Sequence, residues 1–118
     1  MKKIFCIEDD EKILNMWKLS FQKEIMQGKI TIISAMTIKE AEEKFLSNHD
    51  IDIIVIDGCV PGRELNTIPL VKKIKKSFKG IMIGTSSVDE YRRQLLGAGC
   101  DFECTKWNLP ITLSQLIK

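Results

Sequence analysis

Apolar and polar positions along this 118-residue chain follow two alternating rhythms. Short apolar runs stand at Ile4-Phe5-Cys6-Ile7, Ile30-Thr31-Ile32-Ile33, Ile51-Asp52-Ile53-Ile54-Val55-Ile56 and Ile81-Met82-Ile83, and a weak fifth runs from Asp101 to Thr105. The first, third and fourth are nearly continuously apolar and rich in β-branched residues, as in strands covered on both faces. The segments between them keep helical spacing. Ile13, Leu14, Trp17, Phe21 and Ile25 form one apolar stripe, and Ile38, Ala41, Phe45 and Leu46 a second. Ile68, Val71, Ile74 and Phe78 mark a third helix, with Pro69 admissible in its first turn. Tyr91, Leu95 and Ala98 mark a fourth that Gly97 and Gly99 help to end, and Leu113 to Ile117 can form a short fifth. Thr37 with Glu40 and Ser87 with Glu90 have capping-box spacing, and Asp10 is placed to cap the first helix. Trp17, Phe21 and Phe45 read as core residues.

This βαβαβαβαβα order predicts an α/β domain, a five-stranded parallel sheet with helices on both faces and right-handed crossovers. In a flavodoxin-like strand order, 2-1-3-4-5, strands one and three are neighbours. Ligands then bind beyond the carboxyl ends of the strands, near the switch point. The residues there are Glu8, Asp9 and Asp10 after the first strand, Asp57 after the third, Thr85, Ser86 and Ser87 after the fourth, and Lys106 after the fifth. Crowded carboxylates raise one another's pKa. A hard divalent cation relieves that cost, and Mg²⁺ suits a few carboxylates with waters and a phosphate. A lysine and a hydroxyl supply donors for phosphoryl oxygens, and an aspartate can itself be the nucleophile that forms an acyl phosphate.

Composition narrows the rest. An apolar fraction of 44% with 29% charged residues excludes a disordered chain. Eighteen basic against 16 acidic residues leave +2, which argues against a dedicated nucleic-acid binder or a polybasic membrane protein. No apolar run nears the roughly 18 residues of a membrane span. The apolar start stops at Glu8, too soon for a signal peptide, so a cytoplasmic location is expected. Four cysteines without a CxxC pair, and a single histidine, read as reduced thiols with no zinc site. Lys72, Lys73, Lys75, Lys76 and Lys79 lie opposite an apolar stripe and read as a solvated face.

Three strings carry a family resemblance. Ile4-Phe5-Cys6-Ile7-Glu8-Asp9-Asp10 resembles the opening of the receiver domain of two-component response regulators, the CheY-like domains. Ile53 to Gly62, with Asp57 followed by Gly58-Cys59-Val60-Pro61-Gly62, resembles that family's phosphorylation segment, and Gly99 to Lys106 its final strand and lysine. The resemblance spans residues 1-118, implying a single stand-alone receiver with no output domain. It implies that Asp57 accepts a phosphoryl group from a histidine kinase or phosphotransfer protein. Mg²⁺ would be held by Glu8, Asp9, Asp57 and the Cys59 carbonyl. Lys106 would pair with the carboxylate and then with phosphoryl oxygens, and Thr85 would be the hydroxyl that moves toward the phosphate. Such a protein is a signalling phosphoprotein and no dedicated enzyme. It would pass its state to an effector protein through the fourth helix, fifth strand and fifth helix, where Trp107, Leu109 and Ile111 offer an apolar patch.

Several positions depart from the family pattern. The stretch from Thr85 to Lys106 is one residue short, which would put Gly84 at the hydroxyl position, with Ser86 or Ser87 as substitutes. Trp107 stands where the family has proline, Glu103 where it has an aromatic, and the segment Arg63 to Thr67 lacks a second glycine. Glu103 is expected to face solvent, with Phe102 on the opposite side of the strand. These departures keep a rival open, a pseudo-receiver binding module that phosphorylation does not switch. A haloacid-dehalogenase-type phosphatase is disfavoured because the aspartate follows the third strand and reads Asp-Gly-Cys. A dinucleotide-binding domain lacks its G-x-G-x-x-G.

Overall fold

The computed structural model describes residues 1–117. Its strands are β1 (Lys2–Ile7), β2 (Ile30–Ala35), β3 (Ile53–Asp57), β4 (Ile81–Thr85) and β5 (Phe102–Cys104). The helices are α1 (Glu11–Ser20), α2 (Gln22–Met26), α3 (Ile38–Ser47), α4 (Ile68–Lys75), α5 (Asp89–Ala98) and α6 (Leu109–Leu116). All strand pairs are parallel and the sheet order is β2-β1-β3-β4-β5, as the sequence predicts.

The period of two along each strand sorts side chains into two layers. Ile4, Cys6, Ile53, Val55, Ile83 and Cys104 pack with Leu14, Trp17 and Phe21 from the α1 side and with Leu109 and Leu113 of α6. Phe5, Ile7, Ile54, Ile56 and Met82 pack on the other face with Ala41, Leu70, Val71, Ile74 and Leu95 from α3, α4 and α5. Because both faces are covered, β3 is buried along its whole length, which explains its unbroken apolar run.

Local chemistry sets the ends. Asp10 caps α1, its carboxylate accepting from Lys12 N–H at 2.9 Å. Thr37 Oγ1 accepts from Glu40 N–H at 3.0 Å, while Glu40 Oε1 reaches one residue further back, to Met36 N–H at 2.7 Å. The second expected box does not form. Ser86 Oγ takes Val88 N–H at 3.0 Å, α5 starts only at Asp89, and Ser87 is left exposed. Gly99, at φ 135°, ends α5 in a conformation that suits glycine. The stripe from Ile13 to Ile25 is two helices, broken at Phe21, which turns inward to 2% exposure beside Ile30. Two apolar assignments also change. Leu46 is 71% exposed, and Leu109, expected on the surface patch, is fully buried because α6 already starts at Leu109 and packs it into the layer that holds Cys104 and Trp17.

Candidate functional site

Strand alternation carries the α1-side parity of Cys6, Val55, Ile83 and Cys104 on to Glu8, Asp57, Thr85 and Lys106, all at the carboxyl ends of the strands. Glu8 N–H still bonds the Ala35 carbonyl at 3.0 Å, and Asp57 lies in register with Thr85. One carboxylate oxygen from each of Glu8, Asp9 and Asp57 lies within 4.8 Å of the others. Glu8 is completely buried and Asp57 is 3% exposed. The Lys106 Nζ stands 2.9 Å from Glu8 Oε1 and 3.2 Å from Asp57 Oδ2.

One ammonium faces the two buried carboxylates, and their pKa values follow. Burial first, and the Asp57 charge second, push the Glu8 carboxyl up to about 8, against the opposing pull of Lys106 and the Asp10 N–H. Burial likewise raises Asp57, although Lys106 and the Cys59 N–H work against it. At Lys106 the effect of burial is outweighed by the two carboxylates, which raise its pKa. Burial, with the Asp57 charge behind it, also raises the Cys59 thiol, so it stays protonated at neutral pH. The donor set is therefore hard oxygen with unbalanced negative charge, which fits Mg²⁺ and not zinc.

The loop after Asp57 is built by residues that the sequence reading passed over. Thr67, fully buried, donates from Oγ1 to the carbonyls of Asp57 (2.8 Å) and Gly58 (3.0 Å), which leaves α4 without a side-chain cap. Asn66 exchanges two hydrogen bonds with Val60, 2.8 and 2.9 Å, and Gly62 N–H reaches Asp9 Oδ2 at 3.3 Å. These contacts stand where the family pattern has a second glycine. Asn66 and Thr67 just before a proline-initiated helix were the available signal.

Among the hydroxyl candidates, Thr85 has the site's parity and is fully buried, with no hydrogen-bond partner for Oγ1. Gly84 points to the opposite face, where a Cβ would come within 2.8 Å of Leu95 Cβ. Ser86 is already engaged by Val88. Glu103 pairs in register with Gly84 and keeps 35% of its side chain exposed, while its Oε2 accepts from Arg92 Nε at 2.7 Å. Arg92 also donates to the Ser86 carbonyl at 2.8 Å. Phe102, on the other face, is 43% exposed, and Trp107 and Ile111 are more exposed still. A concavity of about 520 Å³ lined by Phe45, His49, Ile51, Phe78 and Lys79 lies at the amino ends of β3 and β4, away from these groups.

Comparison with known proteins places this geometry. No family sequence model matches the chain, and no curated protein sequence does. Solved structures match over nearly its whole length. The receiver domain of Francisella response regulator 1452 is 27% identical, with TM-score 0.76 and coverage of 99% of this chain and 97% of that one. A two-component response regulator from Clostridium difficile is 23% identical, with TM-score 0.80 and coverage of 98% and 93%. A chemotaxis protein from Vibrio cholerae is 18% identical, with TM-score 0.77 and coverage of 99% and 96%.

The chain has the fold of a response-regulator receiver domain.

In this receiver fold the strand ends are where the acidic cluster forms, and the flavodoxin-like order makes β1 and β3 the neighbours that supply it. Among the described residues no helix is long and apolar enough to cross a membrane.

Proposed function

We propose that the protein is a phosphoryl-accepting signalling receiver, with Asp57 as the acceptor and Mg²⁺ as its cofactor. The observation that carries the reading is the buried Asp57 carboxylate, flanked by Glu8 and Asp9 and touched by Lys106 Nζ. Glu8, Asp9 and Asp57, with the Cys59 carbonyl, hold the cation, which when bound offsets negative charge on the phosphoryl oxygens. An Asp57 carboxylate oxygen forms the new P–O bond. The P–N bond to a donor histidine breaks, and its electron pair leaves with the imidazole, which takes up a proton. Lys106 then pairs with a phosphoryl oxygen, and the Thr85 hydroxyl, which has no partner in the free protein, donates to another.

The donor is a histidine kinase or a phosphotransfer protein, and water can later cleave the acyl phosphate. The effector docks on the α5–β5–α6 face, where Leu96, Phe102, Trp107 and Ile111 are exposed. The Arg92–Glu103 pair favours a second reading, a binding module with the receiver fold whose output face does not respond to phosphorylation. Incubation with acetyl phosphate and Mg²⁺, read by intact mass, tests the first. One phosphoryl group should add to the wild type and none to Asp57→Asn. Uptake by the variant refutes Asp57, and no uptake by the wild type favours the binding module.

A further inference from the structure

We propose that Trp17 is the positioning residue for Lys106, its indole N–H fixing the backbone from which the ammonium reaches Glu8 and Asp57. Trp17 is 1% exposed and packs in the layer that also holds Cys104 and Leu109, the buried residues on either side of Lys106 in the chain. Its Nε1–H donates to the Lys106 carbonyl at 3.0 Å across 89 positions of sequence. A buried indole N–H requires such an acceptor.

The lysine needs this anchor because the sheet gives it little. Glu8 and Asp57 stand on or directly beyond β1 and β3, which are held on both sides. Lys106 stands beyond β5, a three-residue edge strand whose ladder stops at Cys104. The turn around it closes through Thr105, whose carbonyl and Oγ1 accept from Asn108 N–H at 3.1 and 3.2 Å. A lysine side chain is long and flexible, so the position of its ammonium depends on where its backbone starts.

The helix α1 serves both members of the ion pair. At its start, Asp10 N–H holds Glu8 Oε2 at 3.0 Å, leaving Oε1 to Lys106. About two turns further along, Trp17 holds the Lys106 carbonyl. One rigid element thus sets the spacing between carboxylate and ammonium. That Lys106 serves phosphoryl transfer rests on the proposed function; that Trp17 places it does not.

Two measurements separate these claims. Urea denaturation of wild type, Trp17→Phe, Lys106→Ala and the double variant forms a cycle that needs no phosphorylation. Trp17→Phe should cost more in the wild-type background than beside Lys106→Ala, because only the former has an ammonium to misplace; additive costs overturn the proposal. With acetyl phosphate, Trp17→Phe should slow uptake by roughly fivefold, the effect of one neutral hydrogen bond, and should not slow Lys106→Ala further. Equal slowing in both backgrounds also overturns it. A wild type that takes up no phosphoryl group defeats the proposed function, while the cycle still decides Trp17. If Trp17→Phe does not fold, hydrogen exchange of the Trp17 indole is compared between wild type and Lys106→Ala. Coupling is reciprocal, so exchange should quicken several-fold in the variant, and unchanged exchange overturns the proposal.

Discussion

Raising the pH should destabilise this protein when divalent cations are absent, and Glu8 is the main cause. Its carboxyl is fully buried and ionises at about 8 against an ordinary 4.5, by burial first and by the neighbouring Asp57 charge second. Between those two values the folded state binds more protons than the unfolded one. The Glu8 contribution is therefore complete below the unfolded value and is lost as pH rises through the folded one. One proton gives a slope of up to about 1.4 kcal/mol per pH unit. Between about pH 6 and about pH 8 the loss is thus at most roughly 2 kcal/mol, with half-ionisation at the upper end taken into account. Asp57, also raised by burial, acts in the same direction. The Cys6 and Cys100 thiols, pushed by burial to about 12, lose their contribution only above about pH 9, outside this window. Mg²⁺ bound as proposed would compete with protons at the site, so it should stabilise the protein more at the upper pH than at the lower. Urea denaturation across this range, with chelator or with millimolar Mg²⁺, measures both effects, and Glu8→Gln should flatten the chelated profile. Chelated stability that is flat or rising from about pH 6 to 8, or a Glu8→Gln slope equal to the wild type's, would refute the reasoning.

Three further outcomes are expected. Thr85→Val removes a buried hydroxyl without a partner, whose burial costs about 1–3 kcal/mol, so the unphosphorylated variant should be more stable in urea while taking up phosphoryl more slowly; a less stable variant counts against it. Gly84→Ala drives a Cβ to within 2.8 Å of Leu95 Cβ and should cost about 1–3 kcal/mol in urea denaturation; a neutral Gly84→Ala is the contrary result. Arg92→Ala frees both the Ser86 carbonyl and Glu103, so amide exchange should quicken over residues 86–92, with a stability loss of about 1 kcal/mol that Glu103→Gln does not add to. Exchange confined to wild-type rates argues against the clasp.

How far the sequence disclosed this molecule depended on the range of the interaction. The parallel α/β sheet was legible from local periodicity and the candidate acids from their places directly beyond apolar runs, while the strand order that joins those acids came from the family resemblance. Asp57 and Glu8 needed only the end of a strand to be recognised. The break at Phe21 was not legible, since apolar spacing is the same for one helix as for two that bend along the sheet. Leu109 was misplaced because its burial depends on how α6, which already starts there, packs on the sheet. Spacing to Lys106 pointed to Gly84, whereas strand parity puts Thr85 on the Asp57 side of the sheet and Gly84 against Leu95. Trp17 read correctly as core, but its bond to Lys106 spans 89 positions, and nothing local announces it.

The two halves of the site are held by different means, and this bears on how a signal could leave it. Glu8 and Asp57 stand on or directly beyond strands paired on both sides, so adding a charged group there meets a rigid floor. The exit is a chain of polar contacts. Ser86 follows Thr85 directly, its N–H bonds the Cys104 carbonyl at 3.4 Å, and its own carbonyl is held by Arg92, which grips Glu103 on β5. On the proposed function, a phosphoryl group that drew Thr85 inward would carry Ser86 with it and so stretch the Arg92 bonds. A ligand shifts an equilibrium only by its differential affinity for the two states. The Arg92 bonds to Glu103 and to the Ser86 carbonyl would favour the unmoved state and subtract from that difference. The proposed output face would accordingly be stiffened by the Arg92–Glu103 ion pair, at the position where the family pattern has an aromatic ring, and the exposed Phe102 and Trp107 lie outside the clasp.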